Sequence, residues 1–287
     1  MKNTDRGSGH HPIITNSILF RTRQEISRRL STVLGVIGLV LFFGAYIVYS
    51  EIRHAKNPND QLTPTVGQMV NAFHKVVTAD EFTDEIPLIE DLKSSLTLFG
   101  IGYGCAILLA LTLGLHIGCW NWANSLTDPP IKIISFIPPT AVLTLIFVLL
   151  GFELKAKTFI IFLATVVPLT RAIVLRIQAI PDRQIWKGQT LGASSMEMIW
   201  VHVRRIVEPG FLDDVRLGLG TAWVYLIISE LIASDRGLGY RINVAGRIGN
   251  IAIILDYIII ISLLAFAMDR AVWLLNRLRN RWAYTAR

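Results

Sequence analysis

The sequence predicts an all-α polytopic membrane protein with six transmembrane helices. Hydrophobic residues make up 52% of the 287 and charged ones only 17%, with positive mean hydropathy, which is more apolar surface than a soluble core of this length can hide. The apolar residues gather in six runs, near 32–49, 96–117, 133–150, 158–175, 217–232 and 251–275. Such runs are read as crossing about 30 Å of hydrocarbon. The net charge of +7 is distributed by side: Arg21, Arg23, Arg28 and Arg29 precede the first run, Arg171, Arg176, Arg183, Lys187, Arg204 and Arg205 lie around and between the fourth and fifth, and Arg277, Arg279 and Arg281 follow the last. With six spans these fall on one side, which the positive-inside rule makes cytoplasmic, so both termini are expected inside. This pattern assigns the basic residues to topology and lipid head groups and argues against nucleic acid.

In order along the chain, residues 1–31 read as a cytoplasmic tail, whose His10-His11 pair has no further metal ligand at workable spacing. The first span, 32–50, is full length and follows about thirty mostly polar residues, so it is read as an anchor and not as a cleaved signal. Residues 51–93 form an external segment punctuated by Pro58, Pro64 and Pro87 and made acidic by Asp80, Glu81, Asp84, Glu85, Glu90 and Asp91. Within it Val66, Met69, Val70 and Phe73 have helical spacing and predict an amphipathic helix along the membrane surface. The main membrane core follows at 94–276, with a cytoplasmic tail at 277–287.

The second span carries Gly100, Gly102, Gly104, Gly114 and Gly118; the four-residue spacings Gly100 to Gly104 and Gly114 to Gly118 suit close helix approach in lipid. No strand precedes this Gly-x-Gly-x-Gly run and no acid follows at the right distance, so it is not a dinucleotide site. Cys105 and Cys119 are placed for packing, not for an external disulfide. Pro138-Pro139 should break or kink the third span and Pro168 the fourth. Such kinks suit a pathway that opens and closes, and equally a static bundle.

Between the fourth and fifth spans lies a polar stretch, 177–213, containing Trp186-Lys-Gly-Gln-Thr-Leu-Gly-Ala-Ser-Ser-Met-Glu-Met-Ile-Trp200. Ser194 or Ser195 can cap a short helix whose Met196, Ile199 and Trp200 form an apolar side, and Gly192 supplies a permissive turn before it. A polar lever between membrane spans is where something outside the membrane would grip. Glu230 stands out as an acid deep in a span, where a carboxylate needs a partner or a wet cavity. Two readings stay open: a structural pair with Arg236 or Arg241 across the Gly237-Leu-Gly239-Tyr240 turn, which is favoured, and a gate or pathway role for Glu230, Gly237, Gly239, Arg236 and Arg241. Arg236, Arg241 and Arg247 are unusual in a short external loop and either pair with acids such as Glu230 and Asp235 or face an anion. His116 and Trp223 are read as packing residues.

The ordered set Leu191-Gly-Ala-Ser194, Arg216-Leu-Gly-Leu-Gly-Thr-Ala-Trp223, Glu230 and Gly237-Leu-Gly-Tyr240 resembles the permease subunits of ATP-binding-cassette importers, in the branch that handles nitrate, sulfonates, taurine and bicarbonate. The resemblance runs from about 62 to 282 and takes in Asp91-Leu-Lys-Ser-Ser95 and Ile137-Pro-Pro-Thr-Ala141. It implies a type I importer permease fold and a coupling loop that touches cytoplasmic ATPase subunits through Gly188, Leu191, Gly192, Ala193, Ser194, Met196 and Trp200. The family's Glu-Ala-Ala triplet is replaced here by Trp186-Lys187-Gly188. The resemblance further implies a second permease copy, an external solute-binding protein, membrane lipid as surroundings and a bacterial plasma (inner) membrane. No Gly-x-x-x-x-Gly-Lys-Ser/Thr loop is present, so ATP and Mg are expected on the ATPase partner, with no cofactor, metal or catalytic residue on this chain. An ion-coupled secondary transporter would show paired hydrophobic halves or several buried titratable groups. A protease would show a nucleophile or zinc motif. These readings, and that of a membrane scaffold without transport, rank below.

Overall fold

A computed structural model describes residues 27–57, 62–79 and 85–285. The expected tail with His10 and His11, Pro58, and the acids Asp80, Glu81 and Asp84 lie outside the described residues. The described chain is helical throughout, with no strand. It divides into two units, 1–60 and 61–287.

Among the described residues of the first unit there is one helix, α1 (Arg28–Lys56), which extends beyond the 32–50 expected. Ser27 caps it, its hydroxyl accepting from the Leu30 amide at 3.3 Å. Leu39 through Phe43 are 54–73% exposed. A helix apolar all round suits hydrocarbon and not water.

The second unit contains α2 (Val66–Val77), α3 (Pro87–Cys119), α4 (Asn121–Ser135), α5 (Pro139–Leu150), α6 (Leu154–Gln178), α7 (Asp182–Thr190), α8 (Ser195–Glu197), α9 (Arg204–Ala233), α10 (Leu238–Arg247), α11 (Ile251–Arg279) and α12 (Arg281–Thr285). A π-helical turn, Met198–Val203, joins α8 to α9. Among the described residues, five helical runs are long and apolar enough to cross a membrane. α4 and α5 make a sixth such run only when taken together, and they meet at 93°. Pro138 and Pro139 cause the break as expected, Pro138 capping α5 and Pro139 opening it, where a missing N–H costs nothing. Pro168 does not end a helix, since α6 runs through it from Leu154 to Gln178.

The seam of α3 against α6 organises the bundle. On α3 the small residues Gly102, Ala106, Ala110, Gly114 and Gly118 recur every fourth position and so stand on one face. Ile161, Ile173 and Ile177 of α6 fill the space that side chains would take: a Cβ at Gly114 would lie 2.8 Å from that of Ile173, and one at Gly118 2.6 Å from Ile177 Cδ1. Without a hydrophobic force between helices in lipid, such close van der Waals approach is what binds them. Gly100 and Gly104, expected to pack, meet nothing within 4 Å; the packing glycine of that trio is Gly102. Cys105, also expected to pack, is exposed.

α9 lies across this pair, burying Val207, Phe211, Val215, Leu219, Trp223 and Leu226. Trp223 packs on Phe99 with ring centroids 5.0 Å apart and the planes tilted by 35°, and the Tyr103 hydroxyl donates to the Val215 carbonyl. α9 begins well before the expected 217–232. Its first half is charged, and those charges are neutralised by neighbours: Arg176 holds Asp214 through two bonds of 2.5 and 2.6 Å, and Arg216 holds Asp269 at 2.8 and 3.0 Å. Glu230 is therefore not the lone deep acid, since Asp91, Asp213, Asp214, Asp256 and Asp269 also stand within spanning helices. α2 forms where its spacing predicts, closed by a Thr65/Gln68 capping box. It packs on the bundle through Ala72 and Val76, which leaves Val66, Val70 and Phe73 exposed.

Candidate functional site

Two constructions stand near opposite ends of α3, separated along it by about 38 Å at 1.5 Å per residue. One is a helical hairpin and the other a buried knot of polar side chains.

The hairpin is α7, a four-residue corner and α8. Gly192 takes φ +81°, which a side chain would strain, and the Schellman pattern closes α7: Ala193 N–H donates to Gly188 O at 3.2 Å and Gly192 N–H to Gln189 O at 3.0 Å. Ser194 opens the next helix at once. Its amide donates to Glu197 Oε2 at 2.9 Å while its hydroxyl accepts from the Glu197 amide at 3.3 Å. Every amide of the corner therefore has a local acceptor, which stiffens the turn. Gly188 is buried, since a Cβ there would lie 3.1 Å from Met198 Sδ and closer still to its methyl; it packs the hairpin's inside and presents no outer surface.

Leu191, at the apex, is 88% exposed, and Met196 and Trp186 are exposed beside it. The expected apolar side of Met196, Ile199 and Trp200 is corrected accordingly: Met198 and Ile199 turn inward and Met196 outward. Trp200 is half-buried and lies edge-on to His116 at the end of α3, centroids 5.7 Å apart. The expected separate lever 193–200 is also corrected, because from Ser195 onward the chain runs through the π-turn directly into α9. A push on the hairpin thus acts on the spanning helix itself.

The knot gathers α3, α9, α10 and α11. The three amides at the start of α10 have no helical partner, and each meets a different side chain: Gly237 N–H donates to Asp91 Oδ1 at 2.9 Å, Leu238 N–H to Ser95 Oγ at 2.9 Å, and Gly239 N–H to Glu230 Oε2 at 2.8 Å. The Ser95 hydroxyl in turn donates to Glu230 Oε1 at 2.6 Å. Asp91 Oδ2 accepts from Arg241 Nε at 2.9 Å and Tyr257 OH at 2.8 Å. Asp91, Ser95, Glu230 and Tyr257 are all 0% exposed. The glycines follow from the crowding: Gly237 sits at φ +123° with Glu230 against it, and a Cβ at Gly239 would lie 2.7 Å from the Ile227 carbonyl. Burial alone would lower the pKa of Arg241; the hydrogen bond and charge of Asp91 outweigh it, and the net shift is upward.

The expected pairing of Glu230 with Arg236 or Arg241 is corrected. Glu230 is taken by a hydroxyl and a backbone amide, while Arg241 goes to Asp91 and Arg236 to Glu90 at 3.1 Å and Glu85 at 3.7 Å. The start of α3 supplies the acids that Glu230 and Asp235 were expected to supply. Asp91 and Ser95, four apart and so on one face, were the available signal. No cluster of metal-ligating side chains occurs among the described residues.

A multi-pass helical bundle with a capped hairpin at one end of its spanning helices and a Glu-to-Gly-Leu-Gly knot at the other defines the membrane subunit of an importer. The chain belongs to the family described as binding-protein-dependent transport system inner membrane component, which matches residues 105–281. It is similar to the taurine transport system permease protein TauC of Escherichia coli K12, 25% identical over 260 residues that cover 91% of this chain and 92% of that one. It is also similar to the nitrate import permease protein NrtB of Synechocystis sp., 23% identical over 185 residues covering 64% and 67%. In fold it matches an inward-facing structure of the MetNI methionine ABC transporter, with TM-score 0.58 and 16% identity, over 67% of this chain and 95% of that one.

Proposed function

We propose that two copies of this chain form the membrane path of an importer for a small anion of the nitrate, sulfonate or bicarbonate kind. An external solute-binding protein delivers the anion, and two cytoplasmic ATPase subunits, which bind the ATP and Mg, drive the cycle. The chain itself is the non-catalytic part and holds no cofactor. It sits in the inner membrane of a bacterium with both termini inside, in keeping with the arginines that flank the hairpin and follow α11. Nitrate and the sulfonate group of taurine, named for the relatives' systems, support a cargo that bears an anionic group.

The observation that carries the coupling role is the stiff, self-satisfied corner at 191–194 that holds Trp186, Leu191 and Met196 out as an apolar tip. Apolar side chains held on a rigid turn away from the bundle suit a cleft on a partner. Glu230 serves as a structural anchor in this reading, since both its oxygens are engaged and it is shut from solvent. Gly192→Val tests the coupling. The φ of +81° would strain valine by about 1–2 kcal/mol. ATP hydrolysis in reconstituted vesicles should then continue while uptake falls. Unchanged uptake per ATP would remove the hairpin from the coupling path.

A further inference from the structure

We propose that the face of α11 turned away from the bundle binds an anionic phospholipid: Arg270 and Arg277 hold the phosphate of a head group such as phosphatidylglycerol, and an acyl chain lies along Ile259, Leu263 and Phe266. At about 100° per residue these five positions and Trp273 fall within about 80° of one another, a single stripe along the helix. The side by which α11 packs on the bundle, with Ile260, Leu264, Met268 and Val272, is opposite. The stripe is open: Ile259 is 43% exposed, Leu263 63% and Phe266 58%, while Trp273 is half-buried. Its composition changes once along its length. From Ile259 to Phe266 it is apolar, and from Arg270 to Arg277 it is cationic and aromatic, each part covering about 10 Å of helix. An amphiphile standing beside the helix has the same order of parts.

The level of the change is set by α9. Arg216 holds Asp269 of α11 through two bonds, and the apolar run of α9 begins at the next residue, Leu217. Asp269 and Arg270 therefore stand where hydrocarbon gives way to head groups. Asp269 is engaged by Arg216 and lies 4.0 Å from Arg270 Nε, at the limit of an ion pair. Arg277 makes no ion pair with any described residue. Each guanidinium lies over a ring: Arg270 Cζ is 4.9 Å from the Phe266 centroid and Arg277 Cζ 5.3 Å from that of Trp273. A ring under the guanidinium plane fixes the fork and leaves its N–H edge free, which is the geometry for taking two oxygens of a phosphate. Two cations with so little carboxylate to meet them favour a lipid of net negative charge over a zwitterionic one, whose own ammonium would be brought against them.

The test uses the full-length protein in nanodiscs of phosphatidylcholine mixed equally with phosphatidylglycerol, with the lipids that stay bound on release read by native mass spectrometry. Phosphatidylglycerol should be enriched over phosphatidylcholine. Arg270→Gln and Arg277→Gln should each weaken that enrichment about fivefold at low salt, and the double variant should abolish it. Phe266→Leu, which takes the ring from under Arg270 and keeps both charge and apolar surface, should weaken it about threefold and keeps the test open if the arginine variants fold poorly. Arg171→Gln, which removes the same charge from an exposed arginine of α6, should leave it as in the wild type. Equal enrichment by wild type and the double variant would overturn the proposal. So would an equal loss with Arg171→Gln, which would reduce the effect to net charge. Disulfide crosslinking of two chains through Leu263→Cys, in a protein without Cys105 and Cys119, would give this face to a second copy and overturn it as well.

Discussion

The hairpin and the knot solve the same problem, unpaired groups at helix ends, in opposite ways. In the hairpin the carbonyls of α7 and the amides of α8 are satisfied within three to five residues of sequence, and the apolar side chains Leu191 and Met196 are left outside. In the knot the amides of α10 are met by side chains from elsewhere, and five of its bonds span 135 to 166 residues. A locally closed corner can move as one piece without breaking anything. A long-range polar stitch fixes four helices to each other and breaks only if they part. The difference makes one end an anchorage and supports the transmission role proposed for the other.

The sharpest break is expected at the knot. Gly239→Ala drives a methyl onto the Ile227 carbonyl, which is backbone and cannot yield, and should destabilise by about 3 kcal/mol; the yield of detergent-extracted, folded protein measures it. Next, Asp91→Asn weakens two charge-assisted bonds and should cost about 2–3 kcal/mol. Adding Arg241→Gln should recover part of that loss, while the same change added to Glu230→Gln should recover nothing, because those two side chains are not partners. Thermal midpoints of the two double-mutant cycles distinguish this arrangement from a Glu230–Arg241 pair.

The hairpin should respond more mildly in stability and more in function. Ser194→Ala removes one cap and should cost about 1 kcal/mol, read as a small drop in midpoint with faster amide exchange at Glu197. Leu191→Ser should leave stability within about 0.5 kcal/mol, yet reduce co-purification with the ATPase subunits. A Leu191 variant that lost stability and kept its ATPase would invert the contrast between the two ends.

How much of this was legible in the sequence follows the same division. The hairpin's Gly192 and Ser194 could be read directly, since turn and cap chemistry is local. The broken third span was equally plain from Pro138-Pro139. Span recognition worked for α1, α3, α6 and α11, where hydropathy is unbroken. It failed for the first half of α9, because Asp214 and Arg216 read as soluble until Arg176 and Asp269 appear beside them. The helix of α2 was legible from its spacing, but the small face of Ala72 and Val76 by which it packs on the bundle was not, since those residues do not stand out beside the larger stripe of Val66, Val70 and Phe73. Glu230 was singled out correctly as a residue in need of partners. Naming them required knowing that Ser95 and the Gly239 amide arrive at the same point.

The run of small residues on α3 has a consequence for the chain's history. Each residue added to a helix turns everything beyond it by 100°, so a single insertion between Gly102 and Gly118 would swing Gly114 or Gly118 away from Ile173 and Ile177 and bring a larger side chain against them. The same holds for α6 between Ile161 and Ile177. Substitutions can be tried there one at a time, but length cannot, and related chains should keep these two stretches free of gaps whatever they carry.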